Sequence, residues 1–271
     1  MTISLLGCGW LGLPLGAFLV EKGYKIKGSV TDPMKFESLR RAGIDPFRVA
    51  LTPELEADHP SMFFNCDVLI VNFPPRRRED IEEYHPEQIR NLIKAIREHG
   101  IRKVLFVSST SVYPDINREV FEADELEPVK GSGRALKIAE DLLQQQKDFE
   151  TTVLRFAGLV GPERLPGRFL AGKKDVPNGT SPVNLIHRED CIEIIYQIIK
   201  QEAWGELFNA CSDIHPTRAD FYSLAALTIG LAPPQFAVNP QTSFKIINSN
   251  KLKQRLGYVF KFPDPMTMLQ A

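Results

Sequence analysis

Gly7-Cys8-Gly9-Trp10-Leu11-Gly12 sets three glycines at the spacing G-x-G-x-x-G close to the amino terminus. The hexapeptide alone is a weak signal. Here it follows the apolar run 2–6 and leads into a helical pattern over 13–21, so it reads as a strand, a tight turn and a helix. In that context each glycine has a task. Gly7 admits the turn, Gly9 lets the main chain approach a diphosphate, and Gly12 lets helix and strand pack closely. The helix start adds unpaired N–H groups and a partial positive charge for the phosphates. A structural glycine-rich turn is the alternative; the flanking elements favour a dinucleotide site formed by Gly7, Cys8, Gly9, Trp10, Leu11 and Gly12.

Which dinucleotide is bound depends on the end of the second strand. NAD sites usually place a carboxylate there, about 20 residues beyond the glycines, for the ribose 2′-hydroxyl. This chain has Gly28-Ser29-Val30-Thr31 instead. Two hydroxyls without an acid tolerate a 2′-phosphate, so Ser29 and Thr31 point to NADP(H), with NAD(H) as the alternative. Asp32 precedes Pro33 and suits helix capping better than ribose binding. Phe73 and Pro74, directly after the apolar run Val68–Asn72, are further candidate cofactor contacts. Arg76, Arg77 and Arg78 follow them and either face the adenosine side or form a solvated approach to a helix.

A second chemical feature is Val107-Ser108-Ser109-Thr110-Ser111-Val112-Tyr113, at the end of another apolar run. Open α/β sheets place ligands at such strand ends. Hydroxyls there hydrogen-bond a reacting carbonyl or alcohol, or satisfy their own turn. Ser108 is a candidate cofactor contact and Ser111 a candidate substrate contact. A third feature is the basic stretch with Arg164, Arg168, Lys173 and Lys174 among glycines and prolines. It fits an anionic substrate, since guanidinium forks match phosphate oxygens, or a solvated loop.

These features need elements to hold them. Strand-like runs at 2–6, 24–30, 68–72, 104–107, 152–155 and 206–210 alternate with helical patterns at 13–21, 32–41, 89–96, 135–143 and 189–200. Such alternation implies a Rossmann-type α/β fold, a doubly wound parallel sheet covered by helices on both faces. Residues 163–182 read as a functional loop. The last sixty residues mix helices near 217–229 and 251–256 with a strand near 244–247. The expected division is a dinucleotide-binding core over 1–162, completed by 183–212, with 163–182 and 213–271 forming a small C-terminal, substrate-side cap.

Composition narrows the partners. The 271 residues carry 33 basic and 34 acidic side chains, a formal net charge of −1, which argues against a nucleic-acid or membrane-surface binder. No apolar run approaches the roughly 20 residues of a membrane span, and the amino terminus lacks the features of a secretory signal. Cys8, Cys66, Cys191 and Cys211 form no C-x-x-C pair, so neither a disulfide framework nor a metal site is expected, and a cytoplasmic location fits.

At this point the chain resembles the extended short-chain dehydrogenase/reductases of the nucleotide-sugar epimerase and dehydratase type. The likeness rests on the glycine loop, SSTSVYP (108–114), LRFAGLVGP (154–162), NLIHREDC (184–191) and KLKQRLGY (251–258), in the family's order. GCGWLG and PGRFLAGK (166–173) look more like a bacterial subgroup of NAD(P)-binding oxidoreductases, whose glycine loop is shorter than the usual G-x-x-G-x-x-G. The resemblance implies that Ser109, three residues before Val112-Tyr113, takes the active serine or threonine position. It also implies a Tyr-x-x-x-Lys motif on the next helix, with a glutamate four residues beyond the lysine. Aligned on Glu140, that motif falls on Ser132 and Leu136, and no tyrosine lies between Tyr113 and Tyr196. General acid–base help is worth ~10²–10⁴ in rate, so either hydride transfer proceeds by positioning alone or another acid is recruited, with Tyr113, Tyr84 and His187 as candidates. Two functions follow. One is an NAD(P)-dependent oxidoreductase or epimerase acting on a phosphorylated or nucleotide-linked metabolite. The other is a non-catalytic NADP(H)-binding redox sensor. The resemblance also allows a homodimer through helices near 86–99 and 132–146.

Overall fold

The structure is a computed structural model that describes residues 1–125, 127–238 and 243–270. The apolar runs form strands wherever a run is buried on both faces. In chain order the elements are β1 (Thr2–Leu6), α1 (Gly12–Glu21), β2 (Lys25–Val30), α2 (Phe36–Arg41), β3 (Asp45–Leu51), β4 (Leu55–Ala57), α3 (Pro60–Phe64), β5 (Val68–Val71) and α4 (Ile81–Glu98). Then come β6 (Lys103–Ser109), β7 (Arg118–Val120), α5 (Gly131–Gln144), β8 (Glu150–Phe156), β9 (Gly158–Val160), α6 (Gly167–Leu170) and β10 (Leu185–His187). The chain continues through α7 (Arg188–Lys200), β11 (Leu207–Ala210), α8 (Arg218–Thr228), β12 (Lys245–Ile247) and α9 (Asn250–Leu256).

Eight strands make one sheet in the order β11-β8-β6-β5-β1-β2-β3-β4. The pairings β6–β5, β5–β1, β1–β2 and β2–β3 are parallel, and β4 adds an antiparallel edge to β3. Strand order reverses between β1 and β5. That is the switch point of a doubly wound Rossmann sheet, and ligands bind outside the carboxyl ends of its strands. β5 is wholly buried (Val68, Leu69, Ile70, Val71), as its continuous apolar composition requires. Asp32 accepts a hydrogen bond from Met34 N at 3.0 Å, with Pro33 opening a short 3₁₀ turn before α2, so the expected cap forms.

The chain divides into two compact units. One holds Met1–Val112, Pro128–Arg155 and Tyr196–Leu207; the other holds Tyr113–Glu127, Phe156–Ile195 and Phe208–Ala271. The second has its own core of Val160, Val183, Leu185, Phe221 and Met268. It also carries two small parallel pairs, β9–β10 and β7–β12. Buried Asp190 fastens its carboxyl-terminal segment: one carboxylate oxygen accepts from the Tyr258 hydroxyl (2.6 Å) and Lys261 N (2.7 Å), the other from Phe262 N (3.1 Å).

Two stretches depart from the expected pattern. Residues 163–182 contain the helical turn α6, where Gly167 packs so closely on α8 that an added Cβ would meet Ala225 O at 2.1 Å. Residues 45–64 carry β3, β4 and α3, none of which has a clean apolar period.

Candidate functional site

The glycine loop joins β1 to α1. Gly7 has φ +111°, a region that disfavours any side chain, and an added Cβ would lie 2.3 Å from Asn72 O. At Gly12 a Cβ would lie 2.2 Å from Gly7 O, so this glycine permits the close packing of turn and helix. Gly9 differs: a Cβ there meets nothing within 4 Å. Packing does not require glycine at that position, which is exposed. α1 begins with no side-chain cap, but Leu13 N already donates to Gly9 O at 3.0 Å and Pro14 has no N–H to offer.

The loop is tied from behind by two neighbouring strands. Ser29 is 1% exposed; its hydroxyl accepts from Gly7 N at 3.0 Å, and its carbonyl accepts from Cys8 N at 2.8 Å. Asn72, at the end of β5, donates Nδ2 to Gly7 O at 3.0 Å. Ser29 therefore shapes the turn, and its hydroxyl is already engaged. Asn72 has the same task, and the only hint of it in the sequence is an asparagine ending an apolar strand. Cys8 is buried, and burial pushes its thiol up to about 12, so it is inert.

Beside the loop lies a cavity of about 220 Å³ at the carboxyl ends of β1, β2, β3 and β5. Thr31, Phe73, Pro74 and Arg76 line it together with Gly7 and Ser29. Thr31 and Arg76 are exposed, and among the described residues neither side chain has a hydrogen-bond partner. Arg78 is engaged elsewhere: it pairs with Asp80 and lies over the Tyr84 ring at 3.6 Å. Asp32 accepts from Met34 N through Oδ1 alone and is not among the residues that line the cavity.

The serine strand end divides its hydroxyls. Ser108 is buried and donates to Glu140. Glu140 in turn pairs with Arg155, so the structural role of Arg155 is clear. Ser109 is half-buried, and its Oγ accepts from Ser111 N at 3.1 Å, closing the turn after β6. The start of α5 packs hard on this turn: a Cβ at Gly133 would meet Ser111 O at 2.5 Å. Leu136, aligned with the family's lysine, is buried, and Ser132, aligned with its tyrosine, is exposed.

The other candidates belong to the second unit. Tyr113 is 3% exposed, and its hydroxyl donates to Asn209 Oδ1 at 2.9 Å. His187 is 2% exposed and lies against Phe262 with centroids 4.0 Å apart. Its Nδ1 accepts from Glu189 N at 3.3 Å, which places the ring proton on Nε2. Burial holds its pKa below the usual histidine value. The ring lines a separate cavity of about 60 Å³, with Gly161, Pro162 and Thr228 among its walls and Tyr113 not among them. Arg164, Arg168 and Lys173 are exposed on the segment around α6.

A family model described as NAD(P)H-binding matches residues 7–202. The chain belongs to the NAD(P)H-binding family. It is 37% identical over 269 residues to Protein YeeZ of Escherichia coli K12, an alignment covering 98% of each chain. In fold it is similar to a short-chain dehydrogenase/reductase superfamily protein from Agrobacterium tumefaciens with bound NAD, at 19% identity, a TM-score of 0.80, and 100% and 95% of the two chains. It is also similar to UDP-glucuronic acid 4-epimerase from Bacillus cereus in complex with UDP-glucuronic acid and NAD, at 18% identity, a TM-score of 0.80, and 100% and 97% of the two chains.

This NAD(P)H-binding chain therefore has the fold of the extended short-chain dehydrogenase/reductases. The residues that line the 220 Å³ cavity flank the glycine loop, and all but Leu6 lie within the matched segment. No helix among the described residues is long and apolar enough to cross a membrane.

Proposed function

We propose that the chain is an NADP(H)-preferring oxidoreductase or epimerase acting on an anionic small molecule, phosphorylated or nucleotide-linked. The supporting observation is the cavity wall, which Thr31 at the β2 end and Arg76 beyond β5 both line. Among the described residues neither side chain has a hydrogen-bond partner, and Asp32 is not in that wall. A hydroxyl and a guanidinium suit a 2′-phosphate; a bare ribose diol would call for a carboxylate. The glycine loop would take the diphosphate, with Gly9 leaving room for it. When bound, the nicotinamide supplies the hydride acceptor or donor.

Ser109 is the group that polarises the reacting oxygen. The buried Tyr113 hydroxyl, already donated to Asn209, holds structure. His187, neutral at pH 7 because burial lowers its pKa, offers an Nε2–H hydrogen bond to a substrate oxygen and is a poor proton source. Arg164, Arg168 and Lys173 supply positive charge for an anionic substrate. In domain terms, 1–162 with 183–212 is the cofactor core, and 163–182 with 213–271 the substrate side.

A second reading, a redox sensor without turnover, is supported by buried Leu136 at the position aligned with the lysine. One experiment separates the two. Purified protein is mixed with NADPH and a panel of carbonyl metabolites and UDP-sugars, and reduced-cofactor absorbance and sugar products are followed. Turnover lost in Ser109→Ala supports the enzyme. Tight binding without turnover, with oxidised and reduced cofactor held at unequal affinity, supports the sensor. No binding of any nicotinamide dinucleotide overturns both.

A further inference from the structure

The cofactor cavity extends past the β2 end to the carboxyl end of β3 and to Gln88 on α4. Sheet order determines which part of a dinucleotide reaches that far. Neighbouring strands are about 4.8 Å apart, so β3 lies about 10 Å from β1. A diphosphate at the β1 turn and a ribose at the β2 end leave the base for the β3 end. The walls there, Val49, Leu51 and Phe73, are apolar and suit the flat faces of any purine. They do not distinguish one base from another.

Gln88 is the polar side chain at that end. It is 4% exposed, and both ends of its amide are held. Nε2 donates to Leu51 O at 2.6 Å, which sets the orientation of the amide. Oε1 faces His85 Nδ1 at 3.1 Å; a carbonyl oxygen only accepts, so Nδ1 carries the ring proton. His85 is fully buried, packs edge-on against Phe73 with centroids 5.5 Å apart, and among the described residues has no partner for Nε2. The result is a carbonyl fixed in direction, with one lone pair used and one left.

We propose that Gln88 Oε1 is the base-reading group of this cavity and accepts a hydrogen bond from the exocyclic amine of adenine. His85 is the positioning residue that fixes the carbonyl. The proposal rests on the dinucleotide reading of the site. A 6-oxo purine would present an acceptor to an acceptor and leave the buried carbonyl unpaired. Sites built around a hydrogen bond discriminate most strongly against such a partner.

The test is calorimetry on the intact protein with NADPH and with its 6-oxo counterpart, nicotinamide hypoxanthine dinucleotide phosphate. Wild type should bind the 6-oxo form about tenfold more weakly or worse. Gln88→Leu should bring the two within about twofold of each other by weakening NADPH alone. Gln88→Glu, which keeps an acceptor, should retain the preference for adenine and serves if the leucine variant does not fold. Equal affinity of wild type for both forms overturns the role of Gln88 while leaving the cofactor site standing, as does a preference unchanged in Gln88→Leu. Failure to bind either form overturns the dinucleotide reading itself.

Discussion

Glu140 on α5 and Arg155 on β8 form an ion pair sealed from solvent. Arg155 Nε lies 3.0 and 3.1 Å from the two carboxylate oxygens, Nη2 adds a further bond, and the two side chains are 5% and 0% exposed. Ser108 donates a third group to the same carboxylate, so the strand end that presents Ser109 is pinned to the helix packed on it. Burial of two charges is tolerated only because each is matched.

Removing one partner should therefore be costly. Arg155→Ala leaves a buried carboxylate and should destabilise the fold by about 3–5 kcal/mol. The double variant Arg155→Met/Glu140→Leu leaves no unpaired charge and should cost clearly less. Urea denaturation followed by circular dichroism measures both. A double variant no more stable than the single one would mean that the pair does not account for the loss.

Cofactor choice should reside in Arg76. A charged hydrogen bond contributes about 1.5–3 kcal/mol, so Arg76→Ala should weaken NADPH about ten- to a hundred-fold. NADH, lacking the phosphate, should change by less than about twofold. The NADPH affinity of wild type should also fall with salt, because the contact is at the surface. Titration of both reduced cofactors at low and high salt decides the matter; equal losses for NADH and NADPH would place Arg76 elsewhere on the cofactor.

Sequence patterns reveal what local chemistry enforces. The glycine spacing, the buried β5 run and Asp32-Pro33 each carry their own signal within a few residues, and each element forms as expected. The commitment of Ser29 is different. The parallel pairing of Leu6 with Ser29 brings its hydroxyl oxygen to Gly7 N, from which it accepts, while Ser29 also lines the cavity. Asn72 is hidden for the same reason: its partner, Gly7 O, lies on another strand. Tyr113 sits near three serines in sequence, yet its hydroxyl is spent on Asn209, far along the chain. β3 mixes Asp45, Pro46 and Arg48 with apolar residues because it lies next to the antiparallel edge strand, not at the sheet centre.

Stability should fall as pH drops below neutral. His85, His187 and His215 all have pKa values held below the ordinary 6.5, in each case chiefly by burial. The unfolded chain then binds protons that the folded chain refuses. Their contribution is fully present above about pH 6.5 and is lost progressively as pH falls from there towards the depressed folded values. The urea midpoint should decrease between pH 7.5 and 5.5. His85→Asn, which keeps a donor for Gln88 without titrating, should show a shallower decrease; an unchanged slope would remove His85 from the account.

The two outer glycines of the loop and the central one should fail in different ways. Gly12→Val forces a side chain to within 2.2 Å of Gly7 O, and Gly7→Val adds backbone strain at φ +111° to a 2.3 Å clash with Asn72 O. Both should destabilise the protein before any ligand is considered. The Cβ of Gly9→Val meets no protein atom within 4 Å, so the variant's stability should stay within about 0.5 kcal/mol of wild type. It should nevertheless lose dinucleotide binding, because the new side chain occupies the space the diphosphate needs. Melting temperature and cofactor calorimetry on the same samples separate the two effects. A stable Gly9→Val protein that still binds NADPH with wild-type affinity would show that the diphosphate does not lie over this turn.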